Sequence, residues 1–386
     1  MSSGTDTRAA QSAASTAAHA AKRLVVKVGS AILCGHDGAV RTDWLASLAD
    51  DIVALRKTGC EVVVVTSGAI ALGRMRLGLS GALRLDEKQA ASAAGQAALA
   101  QAWQTALTPH NVSIAQILLT LDDTESRRRY LNARATFRTL LDLGALPLVN
   151  ENDTIATTEI RYGDNDRLAA HVAQLVESDL LIILSDIDGL YTADPRKDAS
   201  AAHISVVEAI TAEIERAAGG ANAAAGVGSG GMASKVAAAN IAGAAGCATV
   251  IAPGMVDHPL RAMLEGGAAT LFRPSTTPER ARRQWIAGRL KPAGRIVIDA
   301  GAAKALAGGA SLLPAGVTDV AGDFARGDAV EIAAANGQVL GQGLSAYDAA
   351  DIRKIAGSKS DRIEAILGYR RRPAVVEKDD LVLRAE

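Results

Sequence analysis

A lysine inside an apolar run is the first residue of this sequence that calls for a chemical partner. "RLVVKVGS" (Arg23 to Ser30) places Lys27 among β-branched residues typical of a buried strand, where an unpaired ammonium is almost never found. Either Lys27 snorkels to solvent from an edge strand, or its charge meets an anion such as a phosphate. A second lysine, Lys235, ends the glycine-dense stretch "GSGGMASK" (Gly228 to Lys235). This is not P-loop spacing, in which lysine directly follows glycine behind a strand and precedes Ser or Thr. Ser229, Gly230, Gly231, Met232, Ala233 and Ser234 still offer backbone amides that can approach a ligand closely, and the helical run "MASKVAAANIAGAAG" begins there with Lys235 about one turn in. That arrangement suits the β- and γ-phosphates of a nucleotide. A flexible linker would account for the glycines, but not for the lysine and the helix.

Acidic and amide residues gather in "NENDTIATTEIRYGDND" (Asn150 to Asp166), which holds Glu151, Asp153, Asp164, Asn165 and Asp166. Carboxylates at this density could hold Mg²⁺ or an amino group, and the asparagines could position an α-carboxylate; the spacing is not that of an EF-hand. A solvated hairpin in which Asp164 caps a helix explains Asp164 alone. "TSGA" (Thr66 to Ala69) offers the amides of Gly68 and Ala69 beside Ser67, a pattern that binds carboxylate or phosphate at a helix start and is shared by ordinary N-caps. In "SDIDGLYTADPR" (Ser185 to Arg196), Ser185 and Asp186 could hydrogen-bond a nucleotide and Tyr191 could flank a base, while Asp194 and Pro195 read as a turn.

These groups need a scaffold that brings strand ends together. Runs rich in Val, Ile and Leu ("RLVVKV", "EVVVVT", "VSIAQILLT", "LPLVN", "LLIILS", "ATVIA") alternate with helical stretches such as "DWLASLADDIVALRKTG" and "NARATFRTLLDLG". This predicts an α/β fold with a mainly parallel sheet covered by helices. The motifs "KVGS", "TSGA", "NEND" and "SDIDG" then fall at the carboxyl ends of strands, where open α/β sheets bind ligands. From residue 293 the texture changes to short strand-like runs ("GRIVID", "AVEIAAA", "QVLGQGLSAY") and one helix, "DAADIRKIAG". The expected organisation is a tail over residues 1–21, a catalytic domain over 22–274, a linker over 275–292 around Pro292, and a small β-rich domain over 293–386.

With 41 Lys and Arg against 42 Asp and Glu in 386 residues, no global field draws the protein to nucleic acid or to an anionic membrane. Cys34, Cys60 and Cys247 fit neither a disulfide framework nor a metal site, which favours a reducing cytoplasm. The Ala- and Ser-rich first residues lack the core of a secretory signal, and no apolar run reaches spanning length.

The motifs "VVKVGS", "VVVTSGAIALGR", "LNARATF", "VNENDTIATTEIRYGDND", "LSDIDGLYTADPR" and "GVGSGGMASK" resemble, in order, those of the amino acid kinase family. The branch they are similar to phosphorylates the side-chain carboxylate of L-glutamate, and residues from about 293 onward resemble the PUA domain that many of its bacterial members carry. The resemblance implies a three-layer sandwich and an ATP- and Mg²⁺-dependent carboxylate kinase acting first in proline synthesis. In that pattern Lys27, Ser185, Asp186 and the loop from Ser229 to Lys235 contact ATP, Ser67, Asp153 and Asn165 bind glutamate, and Asp166 orients Lys27 and Lys235. Amides of Gly68 and Ala69 complete the substrate site. It further implies inhibition by proline, a homo-oligomer, and hand-off of a labile acyl phosphate to glutamyl phosphate reductase. Departures are small: Ser185 and Ser234 stand where the family often has Thr, and Arg161 where it often has Lys. Related aspartate, carbamate and uridylate kinases share the fold class and could act on another acceptor; the "NEND" and "GDND" pair and the PUA-like tail favour glutamate. RNA binding by the last domain is disfavoured, because residues 293–386 carry 12 Lys and Arg against 13 Asp and Glu and RNA binding leaves a basic footprint.

Overall fold

The computed structural model describes residues 12–35, 37–125, 127–155, 164–219, 231–277, 280–281, 292–369 and 372–383. The chain forms two units, Met1–Glu125 with Asn132–Pro278, and Ser126–Leu131 with Glu279–Glu386. Most of the linker expected over 275–292 lies outside the described residues.

The first unit is built on an eight-stranded sheet. Its strands are β1 (Arg23–Val28), β2 (Glu61–Thr66), β3 (Ile114–Leu119), β4 (Leu146–Glu151), β5 (Leu180–Ser185), β8 (Val206–Val207), β9 (Ala248–Pro253) and β10 (Thr270–Phe272), in the order β3-β4-β2-β1-β5-β9-β10-β8. The strands from β3 to β9 in that order run parallel, as expected for apolar runs buried on both faces. β10 runs antiparallel to β9, and β6 (Leu190–Tyr191) pairs with β7 (His203–Ile204) in a separate ribbon. Central β1 lies between β2 and β5. Its even-numbered residues Leu24, Val26 and Val28 join a core with Trp44, Leu48 and Ile52 of helix α3 (Thr42–Lys57) and Leu99 and Trp103 of α5 (Leu85–Leu107). Side chains alternate across a strand, so Lys27 points to the opposite face, toward α8 (Asp164–Leu175) and α10 (Met232–Ala244).

Residues 13–20, placed in a tail by composition, form helix α1 (Ala13–Ala20) instead, with Ser12 as its N-cap. Ala14 and Ala18, four residues apart, are buried, and the Ser15 hydroxyl donates to the carbonyl of Leu264 at 2.5 Å. Small side chains let this helix lie close without the large apolar stripe that would have revealed it.

A close helix crossing frames the site. α4 (Ala69–Arg76) starts after Gly68, whose φ of 112° lies in the left-handed region that favours glycine. α4 meets α5 at Gly73 and Gly95, where a Cβ would fall 1.6 Å from the Ala91 carbonyl oxygen and 1.8 Å from that of Ala69. Backbone therefore touches backbone. Gly95→Ala is expected to lower stability by at least about 1–3 kcal/mol through overpacking, despite alanine's better helix propensity. Urea denaturation checks this, and an unchanged midpoint would refute the crossing.

The second unit carries a five-stranded sheet in the order β12-β11-β13-β14-β15. Its strands are β11 (Gly294–Ile298), β12 (Val317–Gly322), β13 (Ala329–Ala334), β14 (Val339–Leu344) and β15 (Leu381–Leu383). Where one helix was expected there are α12 (Ala300–Ala307), α13 (Ala349–Ile355) and α14 (Ile363–Leu367). α12 and α14 are short and read poorly from periodicity; they form because Leu306 and Ile363 close over Ile296, Ile332 and Ile352.

Candidate active site

Register alone collects the motifs at one sheet edge. Val28 pairs with Thr66 on one side and Leu184 on the other, so Gly29, Ser67 and Ser185 sit side by side just past the strand ends. β4 ends beside β2, with Val149 opposite Val65, so Asn150 and Glu151 reach the same edge.

Lys27 lies in a central strand, which removes the edge-strand alternative, and its charge is paired. Lys27 Nζ lies 2.6 Å from Asp166 Oδ1, and Lys235 Nζ lies 3.1 Å from Asp166 Oδ2. The Asp166 side chain is wholly buried, and those of Lys27 and Lys235 are 8% and 7% exposed. The Ser234 hydroxyl donates to Asp166 Oδ2 at 2.5 Å. Asp166 stands in the first turn of α8, where the helix dipole favours a carboxylate. Burial pushes the Lys27 ammonium below its usual range, Asp166 opposes that, and the neighbouring Lys235 charge adds to it. Burial would also raise the Asp166 carboxyl, but Lys27 and Lys235, with hydrogen bonds from Lys27 and Ser234, hold it below the ordinary carboxylate value. One anion thus holds two cations side by side in a poorly hydrated place.

Next to this cluster, the side-chain amide of Asn165 donates toward Ser67 Oγ (2.6 Å), Asn150 Oδ1 (3.2 Å) and the Thr66 carbonyl (3.3 Å). Its own Oδ1 is buried and without a hydrogen-bond partner among the described residues. Asn165 therefore ties the turn after β2 to the end of β4 and keeps an acceptor in reserve. Asp153 is buried and accepts from the Ser92 hydroxyl at 2.6 Å. Gly68 and Ala69 form the start of α4 beside Ser67.

On the other flank, Ser185 is buried and its hydroxyl donates to Asp186 Oδ1 at 3.2 Å, while Asp186 is exposed. The Gly254 amide donates to the Ser185 carbonyl at 2.6 Å. Gly231 is the N-cap of α10, and Met232, Ala233 and Ser234 form its first turn. Ser229 and Gly230 lie outside the described residues, as do residues 156–163, which include Arg161. Tyr191 is engaged in the β6–β7 ribbon: its hydroxyl donates to Asp188 Oδ1 at 3.0 Å and its ring meets His203 edge-on at 5.2 Å. Sequence reasoning missed Ser92, Gln96 and Trp103, all on α5. Trp103 is fully buried and its Nε1 donates to Thr66 Oγ1 at 3.3 Å. The polar spacing of Ser92 and Gln96, four residues apart within an alanine-rich helix, was the one available signal.

Among the described residues, no group of three or more His, Cys, Asp or Glu side chains could hold a metal ion, and no helix is long and apolar enough to cross a membrane.

The large, mainly parallel sheet and the separate β-rich unit agree with the family matches. Residues 22–253 match the model of the amino acid kinase family, and residues 294–367 match that of the PUA domain. The chain belongs to the amino acid kinase family and is a kinase. Glutamate 5-kinase of Paramagnetospirillum magneticum is 57% identical over 365 residues, covering 94% of this chain and 98% of that one. Glutamate 5-kinase of Agrobacterium fabrum is 56% identical over 362 residues, covering 94% and 92%. Within its family the chain falls among the glutamate 5-kinases. Among solved structures, carbamate kinase from Giardia lamblia bound to AMP-PNP is similar with a TM-score of 0.46 at 17% identity, over 66% of this chain and 99% of that one.

Proposed function

We propose that this protein transfers the γ-phosphoryl group of ATP to the side-chain carboxylate of L-glutamate, giving L-glutamyl 5-phosphate, the opening step of proline biosynthesis. The observation that carries the proposal is the buried Lys27–Asp166–Lys235 cluster at the sheet's carboxyl edge. A carboxylate oxygen attacks the γ-phosphorus, the bond to the β-bridging oxygen breaks, and ADP leaves with that electron pair. The acceptor is already ionised near neutral pH, with a pKa of about 4.3, so no general base is required. The protein's task is to bring two anions into line and to neutralise charge on the phosphoryl oxygens.

Lys27 and Lys235 do this in our reading. An ammonium has three donors, so contact with Asp166 is compatible with contact to phosphate oxygens. Gly29 lies beside the ammonium, where a Cβ would sit 3.5 Å from Lys27 Nζ, so glycine leaves that approach without a side chain. Ser185, Asp186 and the segment from Ser229 to Lys235 would hold the nucleotide, with Gly231 to Lys235 at the start of α10. When bound, Mg²⁺ would neutralise phosphate charge; the chain's donor set fits an ion that takes most of its oxygens from nucleotide phosphates and water. Ser67, the amides of Gly68 and Ala69, Asp153 and Asn165 would hold glutamate, with Asn165 Oδ1, which has no hydrogen-bond partner among the described residues, suited to a donor such as the α-ammonium. Feedback inhibition by proline, a cytoplasmic homo-oligomer, and delivery of the acyl phosphate to glutamyl phosphate reductase complete the proposal.

An ADP-release assay with hydroxylamine present tests it. L-Glutamate with ATP and Mg²⁺ should yield the γ-hydroxamate, and free L-proline should suppress that yield. Faster turnover with aspartate, carbamate or a nucleoside monophosphate would overturn the acceptor assignment, and hydroxamate formation indifferent to proline would remove the regulatory part.

A further inference from the structure

We infer that Ser92 is a positioning residue for the amino acid subsite, acting through Asp153; this rests on the reading of Asp153 as a glutamate ligand. Ser92 lies in the middle of α5, 1% exposed, and its hydroxyl donates to Asp153 Oδ2 at 2.6 Å across 61 positions of sequence. That is the length of a hydrogen bond to an ionised carboxylate, the stronger class of such bonds. Serine is a poorer helix former than the alanines on either side of it, so the hydroxyl does nothing for the helix that alanine would not do better.

One turn further along α5, Gln96 Nε2 donates to the Glu151 carbonyl at 3.4 Å and its Oε1 accepts from Gln116 at 3.1 Å. The same helix is locked to the turn after β2, because Gly95 rests against the Ala69 carbonyl. α5 therefore holds two parts of the subsite in fixed relation: the Ser67–Ala69 turn through backbone contact, and the loop after β4 through Ser92 and Gln96. A carboxylate with one oxygen tied by Ser92 is held in a set orientation, which lowers the ordering that substrate binding must impose.

The test is steady-state kinetics on the full-length protein with a parallel denaturation curve. Ser92→Ala should raise the KM for glutamate about tenfold or more, as loss of a hydrogen bond to a charged group does, and leave kcat and the KM for ATP within about twofold. Ser92→Thr, which keeps the hydroxyl, should stay near the parent KM, and the denaturation midpoint of Ser92→Ala should fall only as far as the loss of one buried hydrogen bond requires, while kcat and the KM for ATP hold. Ser92→Ala added to Asp153→Asn should do no further harm, since the two act through one contact. If kcat and the midpoint fall while the KM for ATP rises together with that for glutamate, Ser92 is part of the scaffold and the inference is wrong. If Asp153→Asn raises the glutamate KM and Ser92→Ala does not, this inference alone fails. If Asp153→Asn leaves that KM unchanged, the subsite reading itself is wrong and this inference goes with it.

Discussion

Replacing Lys27 with methionine should reduce kcat about a hundredfold or more while changing the KM for glutamate little, since charge-stabilising contacts act mainly on the transition state. Methionine fits the site: it is unbranched and apolar, and Lys27 sits in a strand whose neighbours Val26 and Val28 are fully buried. The protein should also fold well. Asp166 keeps its contacts to Lys235 and Ser234 when Lys27 is lost, so the carboxylate is not stranded without a partner. Lys235→Met should show a similar kinetic pattern. Single-turnover measurements separate the chemical step from product release, and a near-normal rate of phosphoryl transfer in Lys27→Met would sink the role given to this lysine.

Asp166→Asn is expected to be harmful in a different way. Here two ammonium groups, each with a side chain less than a tenth exposed, lose their common counter-charge. Removing one partner from a buried ionic group costs about 3–5 kcal/mol, so the nucleotide-free variant should be markedly less stable than Lys27→Met. Its kcat should fall at least about a hundredfold, because the lysines are no longer held in place. Saturating a non-hydrolysable ATP analogue with Mg²⁺ should return part of the lost stability, since phosphate supplies the missing anion and ligand binding stabilises the folded state.

The pH dependence follows from the lowered Asp166 value. A carboxyl depressed in the folded state contributes stability above its unfolded pKa of about 3.9 and loses it as pH falls through the lower folded value. The parent protein should therefore show an acid-dependent loss below about pH 3.9 that Asp166→Asn lacks. Equal stability of the two proteins at neutral pH, measured by urea titration without ligand, would refute the counter-charge argument.

Several features of this site were legible without coordinates. Lys27 in "VVKVG" demanded an anion because burial of a lone ammonium is so unfavourable, and it has one within 2.6 Å. The strand runs were readable because strands buried on both faces are apolar throughout, and the parallel sheet follows from their alternation with helices. The glycine-dense approach to Lys235 marked the start of a helix, and Met232–Ala244 is one.

Other features depend on contacts between distant parts of the chain. The short strand β10 and helices α12 and α14 have too few residues to show a period, and they are stabilised by what they pack against. α1 was hidden because alanine carries little information about burial until a neighbour such as Leu264 is in place. Ser92 looked like one more small residue in an alanine-rich helix, and only the crossing at Gly73 and Gly95 brings it to Asp153. Chemistry written into individual motifs can be read locally, because burial of charge, glycine backbone and strand patterning are local properties. Which motifs meet is set by the order β4-β2-β1-β5-β9, which turns Lys27, Ser67, Asn150 and Ser185 into neighbours. That order arises from packing between segments far apart in sequence, so composition and spacing carry no direct record of it.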